Sequence, residues 1–555
     1  MNKVFEKRLQ TIYPDSFPAV ATSLTQIAND FKVKNPHLSS KKLSFSEKDT
    51  ILITYADHVH DGDKKTLPTM HEFLNKFIKG YINTVHFLPF YPYSSDDGFS
   101  VIDYYKIKEE FGTWEDVSRI AKDFDLMFDL VINHTSQHSE WFKEFLKGNP
   151  EYENFFIAFD NKVDTSLVFR PRTHPLLTLF ETKKGSKYVW TTFSDDQIDL
   201  NFENPEVLLE MINVLLFYIE NGAKIIRLDA IGYLWKTLGT SSIHLSQTHE
   251  VVKLFRDVIN EVAPNVWIIT ETNVPHKDNI SYFGNGDDEA HLVYNFTLPP
   301  LLLHTMLSSN SSELTKWAQT LAAPGDKTTF FNFTASHDGI GVTPLHGIVP
   351  IEDINNLADS VLKAGGKVNF RDTPEGKKPY ELNCVYFSVL NGNIDAFLAT
   401  QTIQMAMQGV PAIYLNSIIG AQNWTKGVET LKYNRAINRE KFDYTALSNS
   451  LADSSSVNYS IYSQYTKLLK IRTAEPLFNP LVNQKIHSAG DSVFVIERHS
   501  AQNKLFSVTN VTSEPISLDL SSVLGNTKYT DILENSSLEN TTDVKLQPYQ
   551  TMWLK

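Results

Sequence analysis

The sequence predicts an α/β fold, a (β/α)8 TIM barrel with a small inserted domain after its third strand and an antiparallel β domain at its C-terminal end. Three observations lead there. Eight short, nearly continuous apolar runs recur between residues 51 and 415, each followed by a loop and a helix-like stretch. Such runs read as strands buried on both faces, which is how a parallel sheet under crossover helices is written. Polar residues collect where the runs end, and in a barrel those ends meet on one face. Beyond about residue 485 the texture changes to short alternating strands, the pattern of a separate β layer.

Along the chain, residues 1–48 read as a helical segment, with Val4, Phe5, Leu9, Ile12 and Tyr13 near helix spacing. The barrel is expected over 49–137 and 196–484. Its strands are 51–57 (ILITYAD), 84–90 (TVHFLPF), 126–134 (LMFDLVINH), 224–230 (KIIRLDA), 266–273 (VWIITETN), 292–298 (LVYNFTL), 329–338 (TFFNFTASHD) and 410–415 (VPAIYL). An open doubly wound sheet is the competing architecture, but no Gly-x-Gly-x-x-Gly follows any of these runs. Two intervals exceed a simple connection. Residues 138–195 read as the inserted domain. Residues 339–385, with Gly365-Gly366, Pro374-Glu375-Gly376 and Lys378-Pro379-Tyr380, read as a large loop over the barrel mouth. Residues 485–555 form the predicted C-terminal domain.

A formal charge of −14 over 555 residues argues against nucleic acid or an anionic membrane surface as partner. The single cysteine, Cys384, cannot form an internal disulfide and points to a reducing compartment. No stretch reaches the ~18 apolar residues of a membrane span, and the N-terminal residues carry charges where a signal peptide would be apolar. A cytoplasmic location is therefore expected. No His-Glu-x-x-His, cysteine ligand set, EF-hand loop or nucleotide motif occurs, so no metal and no cofactor are expected.

Three carboxylates and two histidines fall at strand ends. Asp229 ends the fourth run, with Arg227 two residues earlier on the same side of the strand. Glu271 ends the fifth, His337 and Asp338 the seventh, and His134 the third; Asp96 lies in the loop after the second. Singly, each has a bland explanation: a structural ion pair, a loop cap, a satisfied core histidine. Together on one rim they suit a retaining glycosidase, whose nucleophile and acid/base carboxyls stand about 5–5.5 Å apart. One carboxyl must stay ionised to attack the anomeric carbon while the other holds a proton for the leaving oxygen. Arg227 should lower the pKa of Asp229 and keep it charged, a less solvated Glu271 should be raised, and Asp338 should stabilise the cationic transition state.

Segments 129–134 (DLVINH), 225–230 (IIRLDA), 269–273 (ITETN) and 333–338 (FTASHD) resemble the four signature regions of the α-amylase superfamily. The resemblance implies Asp229 as nucleophile, Glu271 as acid/base, Asp338 as transition-state stabiliser, and an α-linked glucosyl donor. Within the superfamily, 52–57 (LITYAD), 95–103 (SDDGFSVID), 169–172 (FRPR), 336–341 (SHDGIG) and 434–439 (NRAINR) are similar to the sucrose phosphorylase group. By that match Asp96 and Arg435 hold the glucosyl ring from opposite sides and Phe99 packs on it. His134, Arg227 and His337 bind its hydroxyls, and Tyr380 swings in to meet phosphate. The chain departs from that group in its N-terminal helical segment, at Thr272-Asn273, at 379–383 (PYELN) and at 414–420 (YLNSIIG). Segments 271–279 (ETNVPHKDN) and 190–201 (WTTFSDDQIDLN) are similar to glucosylglycerate phosphorylases. That resemblance implies reversible phosphorolysis of 2-O-α-glucosylglycerate to glucose 1-phosphate and glycerate through a covalent glucosyl-aspartate.

Phosphate must approach a Glu271 that has given up its proton. Two like charges ~4 Å apart repel by about 4 kcal/mol at an effective dielectric of 20, so cations must offset them. Arg435, Arg170 and Arg172 are the candidates, because guanidinium forks match phosphate geometry. His276 and Lys277 are candidates for the glycerate carboxylate. The expected partners are thus a small glucoside and inorganic phosphate, with the oligomeric state open. Sucrose, sucrose-6-phosphate and glucosylglycerol phosphorylases are alternatives of the same class, and a hydrolase is another. A catalytically inactive barrel serving as a binding subunit is the alternative of a different class, but it would ordinarily lack part of the acid set.

Overall fold

Each of the eight apolar runs becomes a strand of one closed parallel barrel. The computed structural model describes residues 2–39, 44–322, 325–373 and 376–555. Residues 40–43 of the N-terminal segment and Pro374-Glu375 of the expected turn lie outside the described residues.

The barrel strands are β1 (Ile51–Thr54), β2 (Thr84–Phe87), β3 (Asp125–Leu130), β4 (Ala223–Leu228), β5 (Trp267–Thr270), β6 (Leu292–Tyr294), β7 (Thr329–Phe333) and β8 (Val410–Tyr414). Each pairs in parallel with its neighbours in chain order, and β8 closes on β1 through Ile51↔Ala412. The strands stop earlier than the apolar runs that announced them. β3 ends at Leu130, β4 at Leu228, β5 at Thr270 and β7 at Phe333, so the polar residues closing those runs stand beyond the ladder as side chains on the barrel mouth. Register then decides which of them meet. Arg227 lies opposite Asp129 on one side and Ile269 on the other, and Leu228 opposite Thr270 brings Asp229 beside Glu271.

The N-terminal segment is shorter in helix than expected. Helix α1 (Lys3–Ile12) and helix α2 (Phe17–Lys34) are followed by one 3-10 turn, Pro36–Leu38, and residues 44–46 are irregular. Both helices pack on the barrel helix Ser246–Val262; Arg8 pairs with Asp257 at 3.0 Å, and the Tyr13 hydroxyl donates to the Phe202 carbonyl at 2.7 Å.

After β3 the chain forms a helix, Glu140–Leu146, and a three-stranded antiparallel sheet of Ala158–Phe159, Gly185–Trp190 and Leu177–Thr182. After β7 the interval expected as a loop is instead an ordered unit. It holds the helix Ile351–Lys363 and a three-stranded sheet with Gly376–Asn383 between Ile340–Gly341 and Lys367–Thr373. Ile354, Leu357, Ala358 and Val361 recur at i, i+3, i+4 and i+7 and are buried, so helical periodicity was present in the interval. The C-terminal sheet has six strands. Alternation along Val493–His499 sends Phe494 and Ile496 into the barrel core and Val493 and Val495 into a second small core with Leu520 and Val544. No helix among the described residues is long and apolar enough to cross a membrane.

One buried cation ties the insert to the barrel. Lys236 Nζ, in the loop after β4, donates to Asn133 Oδ1 at 2.7 Å and contacts Asp199 Oδ2 at 2.9 Å. Asp199 also accepts from the Thr192 backbone and hydroxyl, both at 2.7 Å. All four residues are buried. Removing one partner of such a pair strands the other charge. Lys236→Met should therefore cost about 3–5 kcal/mol of unfolding free energy in urea melts; a loss below about 1 kcal/mol would show that Asp199 is satisfied without it.

Candidate active site

Eleven of the twelve residues assigned from sequence to catalysis, the glucosyl ring or phosphate line one cavity of about 360 Å³ at the C-terminal mouth of the barrel: Asp96, Phe99, His134, Arg170, Arg172, Asp229, Glu271, His337, Asp338, Tyr380 and Arg435. That volume suits a small glycoside. The twelfth, Arg227, lies beneath the floor. A larger cavity of about 510 Å³ opens under the insert around Phe145, Phe156 and Trp190, and none of these carboxylates reaches it.

Arg227 organises the floor. Its guanidinium pairs with Asp129, donates to Asp229 Oδ1 at 2.8 Å and comes within 3.9 Å of Glu271 Oε2. Asp129 is in turn held by His86 Nε2 at 2.7 Å, and the rings of Phe99 and Tyr294 lie 5.5 and 5.6 Å from the guanidinium carbon. Glu271 is fixed by the backbone N–H of Ala230, which donates to Oε2 at 3.1 Å. Ala230 adopts φ +49°, a left-handed conformation costly for a residue with a Cβ, and it turns that N–H towards Glu271.

The electrostatics differ from the sequence expectation in one respect. Burial drives the Asp229 carboxyl well above its ordinary range; Arg227 pulls it down, while Glu271, Asp129 and Asp338 push it further up. The lowering effect of Arg227 is present but outweighed. Glu271 is also raised, chiefly by burial and then against the pull of Arg227. Both carboxyls are thus pushed towards their protonated forms, and Arg227, 2.8 Å from Asp229 against 3.9 Å from Glu271, favours the charged form of Asp229 more strongly. Asp338 is the opposite case. Burial pushes it up, yet Arg435, His337 and Arg439 hold it well below the carboxylate range. Burial lowers His337 to about 3, so its imidazole is neutral.

Arg435 lines the cavity together with Asp96, one of the carboxylates whose charge it feels. It pairs with Asp338 and, at 2.6 Å, with Glu381, and its charge also acts on Glu271. Arg439, four residues on, is the arginine nearest Asp96, at 3.6 Å, and it donates to Asp97 at 2.7 Å. Its Nη2 is buried without a hydrogen-bond partner. Phe99 stacks face to face on His337 at 4.7 Å. His134 Nε2 donates to the Phe99 carbonyl at 2.8 Å, and its Nδ1 lies 3.3 Å from Asn133. His276 and Lys277 do not line the cavity; His276 faces Trp317 and Phe330 instead. Asp96 and Asp97 both sit at positive φ, followed by Gly98 at φ +116°, where a Cβ would lie 2.4 Å from the Pro89 carbonyl oxygen. Only glycine closes that turn.

Tyr380 and Glu381 are neighbours in sequence, yet both line the cavity. Adjacent strand residues normally face opposite ways. The hairpin register jumps from Asn369↔Glu381 to Phe370↔Pro379, which leaves Tyr380 as the extra residue of a β-bulge, and bulges re-aim side chains. Glu381 accepts from Asn369 Nδ2 at 2.6 Å as well as from Arg435.

The cationic side of the cavity is elsewhere. Arg170 and Arg172, from the insert, and Arg371, from the strand Lys367–Thr373, line it, and none pairs with a carboxylate among the described residues. Arg371, Glu381 and Arg439 were not singled out from sequence; the repeated arginine in 434–439 was the one available signal.

The proton assignment is testable. With Glu271 as the proton donor and Asp229 as the nucleophile, the roles expected from the sequence, raising the pH through the elevated Glu271 pKa should extinguish activity. Glu271→Gln should slow cleavage of poor leaving groups about 10²- to 10⁴-fold, spare α-glucosyl fluoride, whose leaving group needs no proton, and flatten the alkaline limb of the rate profile. An unchanged alkaline limb would assign it to another group.

The alpha-amylase catalytic-domain model matches residues 11–338. The glucosylglycerate phosphorylase of Escherichia coli (strain K12) is 44% identical over 560 residues, covering 99% of each chain. That of Spirochaeta thermophila is 49% identical, covering 85% of this chain and 82% of the relative. The crystal structure of sucrose 6F-phosphate phosphorylase from Thermoanaerobacter thermosaccharolyticum superposes with a TM-score of 0.76 at 25% identity, over 90% of this chain and 98% of that one. With the barrel closed, the three strand-end carboxyls on one cavity and the family match covering more than half its length, this chain belongs to the alpha-amylase family.

Proposed function

We propose that the protein is a retaining α-glucoside phosphorylase that interconverts 2-O-α-glucosylglycerate and phosphate with glucose 1-phosphate and glycerate. Asp229 attacks the anomeric carbon as the bond to the glycerate oxygen breaks, and Glu271 delivers its proton to that oxygen. Asp338 stabilises the oxocarbenium-like charge between the two bonds. A phosphate oxygen then attacks the same carbon, Glu271 takes the phosphate proton, and the ester bond breaks to return the Asp229 carboxylate. His134, His337 and Asp96 line the glucosyl end; Phe99 supplies an apolar face, and Tyr380 stands at the acceptor side.

The observation that carries this reading is the pair of guanidiniums, Arg170 and Arg172, which line the pocket and pair with no carboxylate among the described residues. A hydrolase has no need of cations there. Phosphate, which must pass the Glu271 carboxylate, does. The names of the relatives at 44% and 49% identity support the acid as the second product.

Glucosylglycerate supplied with phosphate should give glucose 1-phosphate, and without phosphate only slow release of glucose. Arg172→Ala should cut phosphorolysis roughly 10- to 100-fold, the value of a charge-assisted hydrogen bond, while hydrolysis falls much less. Equal losses in both would remove Arg172 from the phosphate seat, and glucose release independent of phosphate would make the enzyme a hydrolase.

A further inference from the structure

We propose that Arg371 is a specificity-determining residue that binds the carboxylate of the acid acceptor, in a seat distinct from the Arg170–Arg172 seat for phosphate. The proposal rests on the phosphorylase reading above and goes beyond it by giving the acid its own cation.

The strand Lys367–Thr373 turns one edge to the cavity. Asn369 is bonded to Glu381, a lining residue, and Arg371, two positions on, shares its face. Phe370, between them, points the other way and is 43% exposed. The bulge at Tyr380 leaves this alternation intact, because the extra residue lies on the partner strand. Arg371 is therefore aimed into the cavity by the hairpin itself.

Glu381, a carboxylate on the facing strand, is taken by Arg435 and Asn369. The other cavity-side cations that the chain needs structurally, Arg227, Arg435 and Arg439, each hold at least one carboxylate within 3 Å. Arg371 holds none among the described residues. In a cavity lined by Asp96, Asp229, Glu271, Asp338 and Glu381, a guanidinium that pairs with none of the described carboxylates is suited to an external anion.

Position separates it from Arg172. Arg170 and Arg172 follow Phe169, whose backbone N–H donates to the Ser241 carbonyl at 2.9 Å and whose ring lies 6.3 Å from that of Tyr233, so they are carried against the loop after β4. Arg371 is carried by the hairpin after β7, opposite Lys378. A phosphate places its charge on the very atoms around the reacting oxygen and needs a cation next to Glu271. A 2-hydroxy acid reacts through its hydroxyl and carries its charge on the neighbouring carbon, further from the anomeric centre. The cations against the loop after β4, whose Ala230 N–H holds Glu271, fit the first, and the cation on the hairpin after β7 the second. A guanidinium fork also matches a planar carboxylate through two parallel bonds.

The test runs the reaction from glucose 1-phosphate with D-glycerate or glycerol as acceptor, two molecules that differ in a carboxylate against a hydroxymethyl. In Arg371→Ala the ratio of kcat/KM for glycerate to that for glycerol should fall roughly 10- to 100-fold. In phosphorolysis the KM for phosphate should rise by a smaller factor than the KM for glycerate does in synthesis. Arg172→Ala, run in parallel, should move the phosphate KM more than the acceptor ratio. Should the alanine variant fail to fold, Arg371→Lys keeps the stem and the charge but loses the fork, and the ratio should still fall. A ratio within about twofold of the parent, or phosphate and glycerate KM values rising together, overturns the separate seat. A parent enzyme that makes no product with glycerate overturns the glucosylglycerate reading itself, and is distinguished because it appears before any substitution is made.

Discussion

One buried guanidinium holds the catalytic end of this barrel together. Arg227 is enclosed on β4 between Asp129, Asp229 and Glu271, with aromatic rings on its flanks. Three carboxylates that close together would be ruinous in a dry interior without a central cation. With it, Asp229 and Glu271 stand 2.8 and 3.9 Å from the same guanidinium. The arginine is aligned by strand register and not by a flexible loop, so its geometry inherits the rigidity of the barrel.

Around that centre the charges are sorted by distance from it. Arg435 and Arg439 are spent on Asp338, Glu381, Asp96 and Asp97; they order the sugar-facing carboxylates and keep Asp338 ionised. Among the described residues, the cavity guanidiniums that pair with no carboxylate, Arg170, Arg172 and Arg371, come from the two long insertions. The strand-end carboxyls and these cations thus belong to separately built parts of the mouth.

That division also explains what could be read from the sequence. The eight strands were legible because burial on both faces leaves continuous apolar runs, and Asp229, Glu271 and Asp338 because a charge ending such a run has few other places to be. The rim was harder. Nothing in 379–383 (PYELN) announces that a bulge will turn Tyr380 and Glu381 to the same side, since a bulge depends on the partner strand. Arg435 and Arg439 both occur in 434–439 (NRAINR), and their spacing cannot say which one reaches Asp96. Lys236 reads as a surface lysine until the fold buries Asp199 against it. The ordered unit after β7 was hidden because its turn signals outweighed the four apolar positions of its helix.

The assembly of the rim from two insertions carries a consequence for how such enzymes diversify. Asp229, Glu271 and Asp338 follow barrel strands, whereas Arg170, Arg172, Tyr380, Glu381 and Arg371 sit on segments outside the barrel ladder, which can lengthen, shorten or change sequence while the ladder stays as it is. New acceptors can be sampled by rewriting those segments while the bond-breaking machinery is inherited whole. The architecture is modular, and a lineage of phosphorylases differing only in the second product is what such a construction readily yields.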